Sequence, residues 1–193
     1  MLWMIVGLIL FLGVHSINLF YADRRQAFID ERGQSVFMGL YSVASAVGLV
    51  LMIWGYGQTR TSPIFLWHPP VALYSVTFLL TLLSFLFLTA VNVPGNHLKK
   101  AVGHPMIIGV KLWAFGHLLA NGRLGDIVLF GAFLVWAIVY YAINRRRDRA
   151  ANRTAPAANL GATAITVVVG SIIWALFAFW AHRWLIGVSP FGV

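Results

Sequence analysis

Long apolar stretches, separated by short polar ones, run from the beginning of the chain to its end. An apolar α-helix crosses a bilayer in roughly 20 residues, and a lone segment there satisfies its backbone hydrogen bonds only as a helix. The pattern therefore predicts an all-α, polytopic membrane protein, a bundle of about six transmembrane helices forming a single domain over residues 1–193. The predicted spans are 2–21, 36–56, 71–91, 105–121, 124–143 and 162–186.

The composition supports this class and removes several others. Hydrophobic residues make up 60% of the chain and charged residues 10%, whereas roughly 25% of an average soluble chain is charged. The chain has no cysteine, which excludes disulfides, thiolate metal sites and cysteine nucleophiles. The first apolar stretch lacks the flanking pattern of a cleaved signal, so we expect it to be retained as a span.

The basic residues are concentrated on one side of the predicted bundle. Ten of the fourteen Lys and Arg lie in the segments that follow the first, third and fifth spans. Because cytoplasmic loops are enriched in Lys and Arg, these segments are predicted to be cytoplasmic and both termini outside. The net charge of +9 then reflects topology and attraction to anionic lipid rather than nucleic-acid binding. The ten residues are Arg24, Arg25, Arg32, Lys99, Lys100, Arg145, Arg146, Arg147, Arg149 and Arg153.

The acidic residues show no catalytic or transport pattern. All five fall in predicted loops or at a predicted helix start, and none lies inside a predicted span. This excludes a paired-carboxylate hydrolase and argues against a proton-coupled transporter that uses a span carboxylate. Zinc-protease, Walker and dinucleotide-binding motifs are absent from the sequence. The five acids are Asp23, Asp30, Glu31, Asp126 and Asp148.

Four histidines lie at or within predicted spans. Taken alone, each is explained by a polar anchor near the interface or by an interhelical hydrogen bond. Four on three helices also fit a cofactor site, because imidazole is the usual nitrogen ligand of haem iron. The lack of thiols and of span carboxylates fits haem better than a hard metal or a structural zinc. The four are His15 in the first span, His104 and His117 in the fourth, and His182 in the sixth.

Helical spacing predicts neighbours for two of these histidines. Phe11 and Asn18 fall on the face of the first-span histidine. Trp113 and Asn121 lie four residues to either side of His117 and share its face.

The stretch GHPMIIGVKLWAFGHLLANG, residues 103–122, has a start typical of a helix. Gly103 allows the chain to turn, Pro105 fits the first helical turn, and His104 takes the capping position between them. Two further glycines, Gly109 and Gly116, lie seven residues apart and predict a close contact with another helix.

Lys111 is the costly residue of this stretch. A lysine at mid-span costs roughly 2.5–3.5 kcal/mol on insertion scales. It lies seven residues from His104, on the same helical face, and the predicted span offers no acid. Its predicted partners are backbone carbonyls, a phosphate headgroup, or a bound carboxylate such as a haem propionate.

This stretch resembles the signature of the NnrU family of bacterial membrane proteins. VHS at 14–16, ERGQSVFMGLYSVASAVGLVLMIWGYG and AHRWLIGVSP resemble it as well, so the likeness covers essentially the whole chain. The resemblance implies a multi-pass protein of the bacterial inner membrane. It also implies a link to nitrite and nitric oxide reduction in denitrifying bacteria.

The NnrU pattern is similar in turn to the 15-cis-zeta-carotene isomerase, a membrane enzyme whose haem b is bound by two histidines. That similarity implies His15 and His117 as iron ligands, matches His104 to a further histidine, and likens Trp180-Ala181-His182 to a Phe-Ala-His element. Ala114 stands where the isomerase has a cysteine that changes the iron's coordination. The departure weakens the implication of redox-switched chemistry and leaves haem binding implied.

Membrane depth suggests a different pairing of the histidines. With a rise of about 1.5 Å per residue, His15 and His117 lie roughly 6 Å from their span midpoints in opposite directions. Depth alone therefore pairs His15 with His104, and His117 with His182. Span ends read from sequence vary by about 2–4 residues, which is enough to restore the pairing that the motif implies.

Three hypotheses about function follow. The first is a protein that binds haem b and acts as a redox or accessory factor in nitrogen-oxide reduction. The second is a haem-dependent isomerase of a lipophilic small molecule, such as the polyene zeta-carotene. The third is a haem-free assembly or transport component, in which the histidines and Lys111 hold helices together. Whether the protein is an enzyme, and its oligomeric state, are left open.

Overall fold

The computed structural model describes residues 1–155 and 157–190, and these are predominantly helical. Within them the only extended pairing is an isolated bridge between Phe65 and Arg123. The helices are α1 (Leu2–His15), α2 (Ile17–Phe20), α3 (Ala22–Arg32), α4 (Gln34–Thr61), α5 (Ala72–Ala90), α6 (His97–Val102), α7 (Pro105–Ala120), α8 (Leu124–Ala150), α9 (Leu160–Leu176) and α10 (His182–Ile186), with a π-helical turn, Phe177–Ala181, between the last two. The predicted all-α class is confirmed.

Within the part of the chain that the structure describes, four helical segments are long and apolar enough to cross a membrane, as a multi-pass protein requires. They are Gln34–Thr61, Ala72–Ala90, Leu124–Ala150 and Leu160–Ile186. The first and fourth predicted spans form shorter apolar helices of 14 and 16 residues. α1 ends because the chain turns at Ser16, and α7 ends because Asn121 is extended. Six spans therefore stay a prediction.

By its internal contacts the chain divides into two compact units. The first contains Met1–Leu66 and Arg123–Ala132, and the second contains Trp67–Gly122 and the chain from Phe133 onward. α8 contributes its first residues to one unit and the rest to the other.

In the first unit, α1 packs against α4 through glycines. A Cβ on Gly48 would lie 2.8 Å from the backbone nitrogen of Phe11. A Cβ on Gly7 would collide with the backbone of Met52, and one on Gly55 with the backbone of Met4. Side chains at these positions would push the helices apart, so small residues permit the close approach.

In the second unit, α5 packs against α7 at the two predicted glycines. A Cβ on Gly109 would lie 2.9 Å from Leu88 Cγ, and one on Gly116 would lie 3.3 Å from Leu80 Cβ. The same glycines supply carbonyl acceptors, since Ser84 donates to Gly109 O at 2.8 Å and Thr77 donates to Gly116 O at 2.8 Å. The prediction of a close helix contact is confirmed.

The structure corrects the prediction that Asp148 lies in a loop. The predicted fifth span ended at residue 143, but α8 continues to Ala150 because the polar segment NRRRDRA is composed of residues compatible with a helix. The chain leaves the helix near Asn152, a non-glycine residue with φ +46°. The polar segment after the first predicted span forms α3.

Candidate functional site

His15 lies at the C-terminal end of α1 and is surrounded by aromatic rings. Its Nδ1–H donates to Phe11 O at 2.7 Å, and its ring stacks on that of Phe11 at 4.2 Å between centroids. From α4, the ring of Tyr41 approaches to 5.4 Å. The predicted Phe11 neighbour is confirmed, whereas Asn18 lies beyond the break, in α2.

His117 repeats this arrangement in the last turn of α7. Its Nδ1–H donates to Trp113 O at 2.8 Å, and the ring centroids lie 5.3 Å apart. Asn121 donates from its side-chain amide to His117 O at 2.8 Å. The predicted face of Trp113, His117 and Asn121 is therefore confirmed.

The two histidines share one hydrogen-bonding pattern. A ring whose Nδ1 donates to a carbonyl carries its lone pair on Nε2, which is the atom that would bind a metal. Metal-bound histidines commonly donate their other nitrogen to a carbonyl or a carboxylate in this way. The same hydrogen bond also occurs in helical histidines that bind no metal. It therefore makes both rings suitable metal ligands but does not identify a bound metal or cofactor.

His104 has a partner of a different kind. It is the N-cap residue of α7, as predicted, but its imidazole does not cap the helix. Nε2 instead lies 2.7 Å from Asp148 Oδ2, and the two side chains are 24% and 13% exposed. Asp148 also lies 3.8 Å from Arg145 and 3.5 Å from Arg153. The sequence predicted no acid near residues 103–122, but α8 places Asp148 beside His104.

Lys111 contacts an aromatic face. Its Nζ lies 4.1 Å from the centroid of the Tyr141 ring, within the range of a cation–π interaction, which contributes about 0.5–2 kcal/mol. The Tyr141 hydroxyl donates to Val102 O at 3.1 Å, which fixes the ring. The edge of the same ring meets the ring of His104 at 6.3 Å.

One signal in the sequence could have revealed these contacts. His104 and Lys111 are seven residues apart on α7, and Tyr141 and Asp148 are seven residues apart on α8. In an antiparallel helix pair, this matched spacing brings His104 to Asp148 and Lys111 to Tyr141. The signal was lost because the predicted helix ended before Asp148.

His182 begins α10, directly after the π-helical turn. Its Nδ1 lies 2.9 Å from Val188 O, and its ring meets the edge of Phe177 at 5.8 Å. The first contact attaches α10 to the segment that follows it, and the second attaches α10 to the π-helical turn before it.

A buried polar cluster in the first unit was missed from sequence. Asp126 is 1% exposed and accepts hydrogen bonds from the Tyr56 hydroxyl at 2.6 Å and from Arg123 Nε at 2.8 Å. Burial lowers the pKa of Arg123, but the hydrogen bond and charge of Asp126 outweigh burial, so the net pKa lies above the ordinary value and the guanidinium stays charged. Tyr56 and Asp126 are 70 residues apart, so helical periodicity could not connect them.

Potential metal ligands do not cluster in the part of the chain that the structure describes. Among the described residues, no group of three or more His, Cys, Asp or Glu is placed to hold a metal ion. A haem needs one or two axial side chains, so this finding does not bear on it. Of the five predicted cofactor residues, the structure gives His104 and Lys111 partners on α8, and describes His15 in the first unit and His117 and His182 in the second.

Comparison with known proteins concerns the whole chain. The comparisons with curated proteins and with solved structures each found no significant match. The family model described as NnrU protein matches residues 3–190 of the 193-residue chain. The resemblance predicted from the motifs is thereby confirmed, and the chain belongs to the NnrU family.

Proposed function

We propose that this multi-pass membrane protein binds haem b, whose iron His15 and His117 would hold, and that it serves nitrite and nitric oxide reduction as a redox or accessory factor. The observation that carries the proposal is the shared geometry of the two histidines. Each donates from Nδ1 to the carbonyl four residues earlier, at 2.7 and 2.8 Å. Each therefore carries its lone pair on the nitrogen that would meet iron.

The surroundings of both rings fit this cofactor. Phe11 and Tyr41 flank His15, and Trp113 flanks His117. Aromatic faces suit an apolar macrocycle, and a neutral nitrogen donor suits haem iron. Bound haem would supply an iron that changes oxidation state, while the protein's residues would orient the imidazoles and exclude water.

An absorption spectrum of the full-length protein tests haem binding. The protein would be purified from a host supplied with haem, and its haem content measured by the pyridine haemochrome method. We expect a Soret band that is lost or shifted in His15→Ala and in His117→Ala, and partly restored by added imidazole. His97→Ala is the matched control, because His97 lies at the start of α6, contacts Thr163 and is not one of the candidate ligands. A helical but colourless wild-type protein would overturn the proposal.

The metabolic role needs a separate test. NnrU-type proteins are associated with nitrite and nitric oxide reduction, and family membership supports the same setting for this chain. In a denitrifying host that lacks its own copy, this chain should restore consumption of nitrite or nitric oxide, and His15→Ala should not. If a variant that binds no haem still restored nitrite or nitric oxide consumption, the metabolic role would not depend on the cofactor.

A further inference from the structure

The first unit contains a groove whose chemistry changes along its length. α1, α2 and α3 border it on one side and α4 on the other, and its cavity volume is about 430 Å³. Most of the lining is apolar and includes Val14, Ile17, Phe37 and Leu40. α4 is one of the four helices suited to crossing a membrane, so these apolar residues line a groove beside a span.

Two arginines border the same groove. Arg24 and Arg25 belong to the first turn of α3, where the positive end of the helix dipole adds to their charge. Asp23 is in that turn too, but it is exposed and does not line the groove. The groove thus combines an apolar floor with a basic rim.

The two guanidiniums are bound by aromatic rings rather than by acids. Arg25 lies 5.0 Å from the centroid of Phe37, and Arg24 lies 5.8 Å from that of Tyr21. Within residues 1–155 and 157–190, neither forms an ion pair with a carboxylate, in contrast to Arg123, Arg145 and Arg153. A stacked guanidinium keeps its N–H donors at its edge, where a phosphate binds them.

We propose that this groove binds one anionic phospholipid. Its phosphate binds Arg24 and Arg25, and one acyl chain lies along the apolar lining from Val14 to Leu40. Charge selects the occupant, because two uncompensated guanidiniums favour an anionic headgroup over a zwitterionic one. The apolar floor selects an amphiphile over free phosphate. The lining also includes Tyr41, whose ring approaches that of His15, but neither candidate iron ligand lines the groove.

Lipid retention measured by native mass spectrometry tests the site. The full chain would be released from nanodiscs of phosphatidylcholine and phosphatidylglycerol, and the retained lipids counted. We expect one phosphatidylglycerol to be retained preferentially, and affinity to fall roughly 30-fold in Arg24→Gln/Arg25→Gln. Arg146→Gln/Arg147→Gln is the matched control, since it removes the same charge from α8 and should retain the lipid.

A second pair of variants tests the apolar part while keeping both arginines. Ala44 lines the groove on α4, whereas neighbouring Val43 is 64% exposed and does not. Ala44→Phe should fill the groove and abolish lipid retention, and Val43→Phe should leave it unchanged. Equal retention by Ala44→Phe and Val43→Phe would overturn the proposal, as would equal retention by the two arginine double variants. Displacement of the lipid by inorganic phosphate would also overturn the proposal. So would an Arg24→Gln/Arg25→Gln variant that loses haem but still retains the lipid.

Discussion

Two carboxylates at opposite ends of α8 are stabilised in different ways. Asp126 lies in the first turn, where the helix dipole favours an anion, and its partners are Arg123 and Tyr56. Asp148 lies in the last turn, where the dipole disfavours an anion, and its nearest partner is His104. Position along the helix therefore explains why the second carboxylate needs Arg145 and Arg153 as further cations.

The two clusters differ in burial and in the kind of partner that holds the carboxylate. Asp126 is almost fully buried and is held by a guanidinium that stays charged at any physiological pH. Asp148 is partly exposed, and its nearest partner is the partly exposed imidazole of His104. The first cluster is therefore shielded from solvent at its carboxylate, whereas the second stays within reach of solvent.

The largest expected effect is that of Asp126→Asn. The change leaves the partly buried Arg123 without its counter-charge, and removing one partner of a buried ion pair typically costs about 3–5 kcal/mol. We expect this variant, purified in detergent, to have a much lower melting temperature than the unsubstituted protein. Asp30→Asn is the control, because Asp30 is exposed and only accepts a hydrogen bond from Gln26. Equal melting temperatures for the two variants would show that the buried cluster does not stabilise the fold.

A smaller effect is expected at the other end of α8. A double-mutant cycle with His104→Gln and Asp148→Asn should give a coupling free energy of about 1.5–3 kcal/mol, the range for a hydrogen bond to a charged group. The measurement is again thermal unfolding, made at one fixed pH. Strict additivity of the two substitutions would mean that the 2.7 Å contact contributes no stability.

The smallest effect is expected at Lys111. Tyr141→Leu removes the aromatic face and should cost about 0.5–2 kcal/mol when Lys111 is present. It should cost less in a Lys111→Met background, where no cation remains to contact the ring. Tyr141→Phe keeps the ring and removes only the hydroxyl that donates to Val102 O, so it controls for loss of that hydrogen bond. The same cost of Tyr141→Leu in both backgrounds would show that the cation–π interaction contributes no stability.

The sequence predicted local features well because they depend on short spacings. Pro105 in the first turn, His104 at the cap and the glycine contacts of α7 follow from helix geometry over a few residues, and the structure confirms them. The neighbours Phe11 and Trp113, four residues from their histidines, follow from the same geometry. The NnrU resemblance rested on whole motifs and was confirmed over residues 3–190.

The sequence was less informative where a helix extends beyond its apolar residues, or where an apolar stretch is not one continuous helix. Hydropathy ended the fifth span near residue 143, because it detects the apolar part of a helix and not the helix itself. This error placed Asp148 in a loop and hid the acid beside His104. The prediction for the first apolar stretch had the opposite error. The apolar residues continue past Ser16, so a longer helix was predicted, but α1 ends there.

The sequence by itself determined the all-α membrane class, the family and the helical faces of His15 and His117, because periodicity and hydropathy act over one helix at a time. Only the tertiary structure decided the partners of the polar residues. Asp148 meets His104 across 44 residues, Tyr56 meets Asp126 across 70, and Lys111 rests on Tyr141. The physical reason is that a charged group in an apolar environment must be compensated in space, and packing brings together groups that are distant in sequence.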